Sequence, residues 1–168
     1  MQREFVVLVN EMDEPLGEME KLQAHNLGVL HRAFSVFIFN EKGEMLLQQR
    51  AVSKYHSGGL WTNACCGHPR PGEETKIAAA RRLMEEMGIA SEMHFKNKFI
   101  YKTKFDNSLT EHELDHIFIG KFSGTMMLNP EEVQDYKWIS TPELLIWMKQ
   151  QPQSFTFWFR LILDKFLY

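Results

Sequence analysis

Between Gly67 and Ile89 the chain reads GHPRPGEETKIAAARRLMEEMGI, with glycines, acids and arginines at the offsets G-x5-E-x7-R-x-L-x-E-E-x-G-I. The second half has helical periodicity. A helix is expected over Glu74 to Met87, with Ile77, Ala80, Met84 and Met87 on one face and Gly88 as its stop. The first half, rich in proline and glycine, reads as a loop feeding that helix. Carboxylates on one helix face bind hard cations such as Mg²⁺ through oxygen. A plainer reading also fits, because Arg81–Glu85 and Arg82–Glu86 are i,i+4 pairs worth about 0.2–0.5 kcal/mol each. The glycines and Glu73 at their offsets favour the first.

Around this unit the pattern is mostly strands. Glu4 to Asn10 is apolar and β-branched, and EPLG at 14–17 supplies a turn. His31 to Asn40 is apolar on both faces, as a central strand should be, and the turn EKGE with MLLQQRA completes a hairpin. Strands are expected near 95–105 and 111–122, and a short one at DYKWIS before a helix begun by Thr141-Pro142. The last helix, 154–167, has Ser154 as N-cap and Phe155, Trp158, Phe159, Ile162 and Phe166 on one stripe. Strands with a few helices on both sides predict an α/β fold, a mixed-sheet sandwich in a single domain over 1–168.

A net charge of -3 gives no reason to expect nucleic acid or an anionic membrane as partner. No apolar run approaches the roughly 20 residues that span a bilayer. The two cysteines, Cys65 and Cys66, are adjacent, and a disulfide between neighbours is strained, so a reducing cytoplasm is the expected setting.

Three histidines and a strand carry the remaining chemistry. His25 and His31 flank a short turn, and His68 follows Cys66-Gly67. In EHELDHIF, Glu111 and Glu113 point to one face with backbones roughly 7 Å apart. Such carboxylates repel unless they share a proton or a cation. Three imidazoles and two carboxylates would suit Zn²⁺, Mn²⁺ or a similar ion. Alternatively Glu111, Glu113 and Asp115 form the solvated face of an edge strand, and each histidine is a satisfied polar residue.

The glycine–acid–arginine spacing resembles the Nudix box, which holds divalent cations against a diphosphate, and so implies a Nudix-like α/β/α sandwich. One position departs from it. Arg82 stands where Nudix hydrolases have a metal-binding glutamate, which argues against an ordinary pyrophosphohydrolase. The blocks AHNLGVLHRAFS, LLQQRAVSK, WTNACCGHP, RRLMEEMG, YKTKFDNSLTEHE and FTFWF resemble, in order and spacing, type I isopentenyl-diphosphate Δ-isomerases from about Lys21 to Trp158. Those enzymes also carry a second arginine in the box.

The resemblance implies isomerisation of isopentenyl diphosphate to dimethylallyl diphosphate. It implies a metal site of His25, His31, His68, Glu111 and Glu113 holding Zn²⁺, Mn²⁺ or Mg²⁺. Glu86 would hold a second Mg²⁺ that bridges to the diphosphate. Cys66, Glu113, Tyr101 and Trp158 would be catalytic, and Lys21, Arg50, Lys54 and Arg82 would bind substrate. Cys65 falls where the family does not require cysteine and reads as packing. The expected partner is a small diphosphate, and the expected state a monomer. Simpler fates stand beside these roles: a buried structural thiol for Cys66, plain core for Trp158. A Nudix hydrolase and a non-catalytic binder of a phosphorylated ligand are the competing functions.

Overall fold

A computed structural model describes residues 3–167. Its centre is strand β3 (His31–Phe39), whose side chains alternate between two apolar clusters. Phe34, Val36 and Ile38 join the cluster beneath helix α2 (Thr75–Met87), and Phe37 joins the one beneath the C-terminal helix. That period of two makes it a central strand buried on both faces. Along one edge it pairs in parallel with β8 (Thr110–Lys121) from end to end, and β8 pairs antiparallel with β7 (Met93–Lys104).

The other edge of β3 has three successive partners. β1 (Phe5–Val9) meets it at His31, β6 (Cys65–Gly67) at Phe34–Val36, and β4 (Met45–Arg50) at Phe39. The hairpin expected from EKGE is therefore real only at its tip. After the pair Phe39–Met45 the strands part, and β4 goes on to pair with β5 (Trp61–Thr62) and β9 (Val133–Ile139). β2 (Pro15–Glu20) completes the sheet beside β1. With α2 on one face and α3 (Thr141–Gln150) and α4 (Phe157–Ile162) on the other, the expected mixed-sheet α/β/α sandwich is borne out.

Several local expectations change. The turn assigned to EPLG lies at residues 10–14, where Asn10 Oδ1 accepts from the backbone N–H groups of Met12 and Glu14; residues 15–17 already belong to β2. The same Asn-Glu-x-x-Glu device closes the β3–β4 turn at Asn40. A short helix not expected from the pattern, α1 (Lys21–Leu27), is capped by Glu20 and stopped by Gly28. The last helix begins after Thr156. Ser154 lies in a 3₁₀ turn ahead of it, and residues 163–167 wind into a wider turn.

The inward face of α2 is also corrected. Ile77 and Met84 are 58% and 49% exposed and Ala80 is exposed, while Ala78, Ala79, Leu83, Glu86 and Met87 are buried. The helix lies close on β6 and β3, where methyl side chains fit, and it turns Glu86 inward toward polar partners. A Cβ on Gly67 would stand 2.9 Å from the Phe34 ring and 3.5 Å from Arg82 Cγ, so only glycine admits this approach. Gly88 ends the helix at φ 65°, packed on the Met127 backbone.

Glu73 fastens the loop to the helix. It accepts from Arg81 Nε at 2.8 Å, Arg81 Nη2 at 2.9 Å and the Arg70 N–H at 2.9 Å. Those bonds, Arg81 first, hold its carboxyl below its ordinary 4.5. Glu73→Gln should cost roughly 1–3 kcal/mol in urea unfolding at neutral pH. A lowered folded pKa stabilises fully above the ordinary value and fades as pH falls through the folded one. Parent and variant should therefore converge in acid; a constant gap would show that the ionised clamp contributes nothing.

Candidate active site

The gap between β3 and β4 opens into a cavity of about 540 Å³, lined from both sides of the sheet. Lys21, Arg50, Lys54 and Arg82 face it, as do Glu86, Cys66, His68, Tyr101, Glu111, Glu113 and Trp158. Their faces follow from the strands that carry them. Glu111, Glu113 and Asp115 alternate onto one face of β8, and His31 and Ser35 lie on the same face of β3 by register with Glu113 and Ile117. β8 is central and these acids are 4%, 6% and 1% exposed, so the solvated-edge reading of this strand does not hold.

His25, His31, His68 and Glu113 converge, with one ligand atom from each lying within 4.8 Å of the others. Glu113 Oε1 is 2.9 Å from His68 Nε2, 3.4 Å from His31 Nε2 and 3.9 Å from His25 Nε2. His25 Nδ1–H donates to the Lys21 carbonyl at 2.7 Å and His31 Nδ1–H to that of Val29 at 2.8 Å. These bonds fix the tautomers and turn both Nε2 lone pairs inward. There they are buried with no hydrogen-bond partner. Unpaired buried acceptors beside a carboxylate fit a divalent cation with mixed nitrogen and oxygen ligands. Burial holds His68 down to about 4 and lowers His25, which favours the neutral, ligating form. Burial acts on His31 in the same direction, but the Glu113 carboxylate outweighs it and pushes His31 up, so a cation bound there would displace the His31 proton.

Glu111 is not brought into that set of four. Its carboxylate meets Tyr101 Oη at 2.9 Å and His56 Nε2 at 3.1 Å, and the Tyr101 hydroxyl also reaches Glu113 at 2.7 Å. Burial and the Glu113 charge push Glu111 up. Burial acts on Glu113 in the same direction, but the His31 and His68 imidazoles outweigh it and hold Glu113 well below its usual range. The two like-facing carboxylates are thus pushed in opposite directions across one phenol, Glu111 up and Glu113 down. His56 was missed. It comes from the loop after β4 and stacks on Phe105 at 4.7 Å, a tertiary neighbour with no mark in local spacing.

On β6 the two cysteines face opposite layers. Cys65 is fully buried in the cluster under α2, in keeping with a packing residue. Cys66 faces the cavity, receives the Trp158 indole N–H at 3.1 Å and donates to Asn63 Oδ1 at 3.2 Å. Burial, then the Asp115 carboxyl, push Cys66 up to about 12, so the free protein holds a neutral thiol. Trp158 is both core and site, 3% exposed, with the Arg50 guanidinium 5.3 Å over its ring.

Three of the four basic groups are already paired with carboxylates; Arg50 instead donates from Nη2 to the His56 carbonyl at 3.1 Å, and its Nε is buried without a partner. Arg82 binds Glu86 at 2.6 Å, Glu85 at 2.8 Å and Glu132 at 3.2 Å. Lys54 pairs with Glu132 and Lys21 with Glu4. Glu86 also accepts from Gln48 Nε2 at 2.9 Å. Glu132 and Gln48 were not singled out: Glu132 lies in none of the quoted blocks, and Gln48, inside LLQQRAVSK, reads as an ordinary strand residue.

A mixed sheet carrying this loop–helix unit at the rim of a carboxylate-lined cavity defines a NUDIX domain, and the NUDIX family model matches residues 29–159. A crystal structure from Deinococcus radiodurans superposes with a TM-score of 0.73 over 88% of this chain and 90% of that one, at 20% identity, which speaks to fold alone. The isopentenyl-diphosphate Delta-isomerase of Burkholderia multivorans is 49% identical over 96% of this chain and 92% of its own. That of Pectobacterium atrosepticum is 51% identical over 93% and 87%. The chain belongs to the isopentenyl-diphosphate Delta-isomerase family of NUDIX-domain proteins.

Metal binding to the four-residue set has a direct check. Mn²⁺ or Zn²⁺ at about 100 times its Kd should stabilise the fold by about 2.7 kcal/mol, read as a raised unfolding midpoint. Glu113→Gln and His31→Gln should each remove most of that rise. An equal rise in both variants would place the ion elsewhere.

Proposed function

We propose that the chain interconverts isopentenyl diphosphate and dimethylallyl diphosphate by adding a proton at one carbon and removing another two carbons away. The observation that carries the reading is a half-buried thiol and a buried carboxylate–phenol pair facing one cavity whose other side is rimmed by arginine and lysine.

An alkene is a very weak base, so its proton donor must be held in place and kept dry. The lowered Glu113 carboxyl and neutral Cys66 thiol of the free protein match the reverse direction. The forward direction starts from the opposite proton arrangement, in which Glu113, once protonated and aligned by Tyr101, gives the proton and Cys66 as thiolate removes one from the far carbon. In reverse the neutral thiol gives and Glu113 receives. The Trp158 ring lies where it can face the tertiary cationic carbon, an interaction worth about 2 kcal/mol or more in a desolvated site. Lys21, Arg50, Lys54 and Arg82 bind the diphosphate, Arg82 by exchanging its carboxylate partners for phosphate oxygens. A divalent ion held by His25, His31, His68 and Glu113, with Glu111 as a fifth ligand, would supply positive charge that orients and polarises the Glu113 carboxyl. Glu86 would hold a Mg²⁺ whose charge would offset that of the diphosphate. We further propose a single domain that acts as a monomer in the cytoplasm; two free thiols suit a reducing compartment. Among the described residues no helix is long and apolar enough to cross a membrane.

Incubation of the metal-loaded protein with isopentenyl diphosphate in D₂O should yield deuterated dimethylallyl diphosphate. Release of inorganic phosphate instead would make it a hydrolase, and bound but unchanged substrate a binder. Cys66→Ala should abolish exchange and Cys65→Ala should be tolerated; equal losses would sink the thiol assignment. Trp158→Phe keeps an aromatic face but removes the N–H donated to sulfur, and should lower kcat with little change in stability. Near-normal turnover with lost stability would make Trp158 core alone.

A further inference from the structure

Asn63 touches the Cys66 thiol and has no part in the chemistry above. It is fully buried. Its side-chain NH₂ donates to the Val36 carbonyl at 3.0 Å and to that of Cys65 at 2.8 Å. Both amide hydrogens are thereby used, and a flipped amide would set its oxygen against two carbonyl oxygens. Oδ1 is forced to face the sulfur, 3.2 Å away.

We infer that Asn63 is the positioning residue of the Cys66 thiol: its locked oxygen sets the direction of the S–H bond, while the Trp158 N–H sets the side from which sulfur accepts. The inference rests on the reading that Cys66 exchanges a proton with substrate. With one hydrogen bond given and one received, rotation about Cβ–Sγ has a single preferred setting. A proton leaving sulfur for carbon then departs from one fixed orientation, by a single turn away from Asn63 Oδ1, and a proton arriving at sulfur is received back into that same orientation. Ser35 Oγ is 3.7 Å from the sulfur, but its own hydrogen goes to Asp115 at 2.7 Å. It is a looser neighbour than Asn63.

The device extends to the C-terminal segment. Thr62 Oγ1–H donates to Asn63 Oδ1 at 2.9 Å, and Thr156 Oγ1–H donates to Thr62 Oγ1 at 2.9 Å, both hydroxyls lying in buried residues. Oδ1 therefore accepts twice, once from Thr62 and once from the thiol. The Thr156 N–H is also donated to the Trp61 carbonyl at 3.0 Å. Docking of residues 155–158 on β5 thus sets both contacts of the sulfur, Trp158 directly and Asn63 through two threonines.

The test is the infrared S–H stretch of Cys66, read in a Cys65→Ala background beside steady-state kinetics. Asn63→Ala removes the acceptor and should raise the S–H frequency. It should also lower kcat roughly tenfold to hundredfold, with KM changing less than about threefold. Thr62→Val keeps both backbone bonds of Asn63 and relieves Oδ1 of its second donor, so the S–H frequency should fall. A residue of purely structural importance would move neither frequency. Unchanged frequencies in both variants, or shifted frequencies with unchanged kcat, overturn the inference. If Asn63→Ala does not fold, Thr62→Val decides by the same reading. Failure of the unsubstituted protein to isomerise would overturn the proposed reaction and with it the role given to Asn63, while leaving the S–H spectra to report the thiol's orientation on their own.

Discussion

The structure depends on a parting of strands. β3 and β4 are joined by a tight turn and share only the pair Phe39–Met45 before they separate. Backbone groups exposed by such a split must find partners, because a buried unpaired carbonyl costs about 1–3 kcal/mol. β6 supplies them along Phe34–Val36, and Asn63 continues the repair by donating to Val36. The segment that closes the gap in hydrogen bonding is the same one that carries Cys66 and His68. A chemical site here is a by-product of mending the sheet.

The cavity is charged in a balanced way. Toward α2, Arg82 and Lys54 are held by Glu85, Glu86 and Glu132, and toward β8 an ionised Glu113 sits among three imidazoles. Each group is already paired or aimed before anything binds, so the ordering cost falls on folding and not on ligand capture. The arrangement favours exchange of partners over creation of new charge. A diphosphate arriving at Arg82 meets a guanidinium whose orientation is fixed.

Much of this was legible in the chain, for definable reasons. Apolar residues on both faces of HRAFSVFIFN announced a central strand, and the offsets from Gly67 to Gly88 announced the loop–helix unit. The face of α2 was misread because apolar periodicity assumes that large side chains go inward. Here Ala78 and Ala79 go inward so that the helix can lie close, and Glu86 joins them because Gln48 and Arg82 await it. Glu113 was found through its motif. His56 was not, since what distinguishes it is a partner on another strand. Asn63 lies within the block WTNACCGHP, but what it does shows only when its amide is seen locked between two carbonyls.

The dipeptide Cys65-Cys66 places two sulfurs on opposite sides of one strand, one sealed beneath α2 and one bordering the cavity. A thiol reagent meets them through different events. Cys66 is reached by motions of the cavity walls, whereas Cys65 is reached only when the α2 layer lifts from the sheet. The chain therefore carries two built-in clocks side by side, one timing the breathing of the site and the other the opening of the fold.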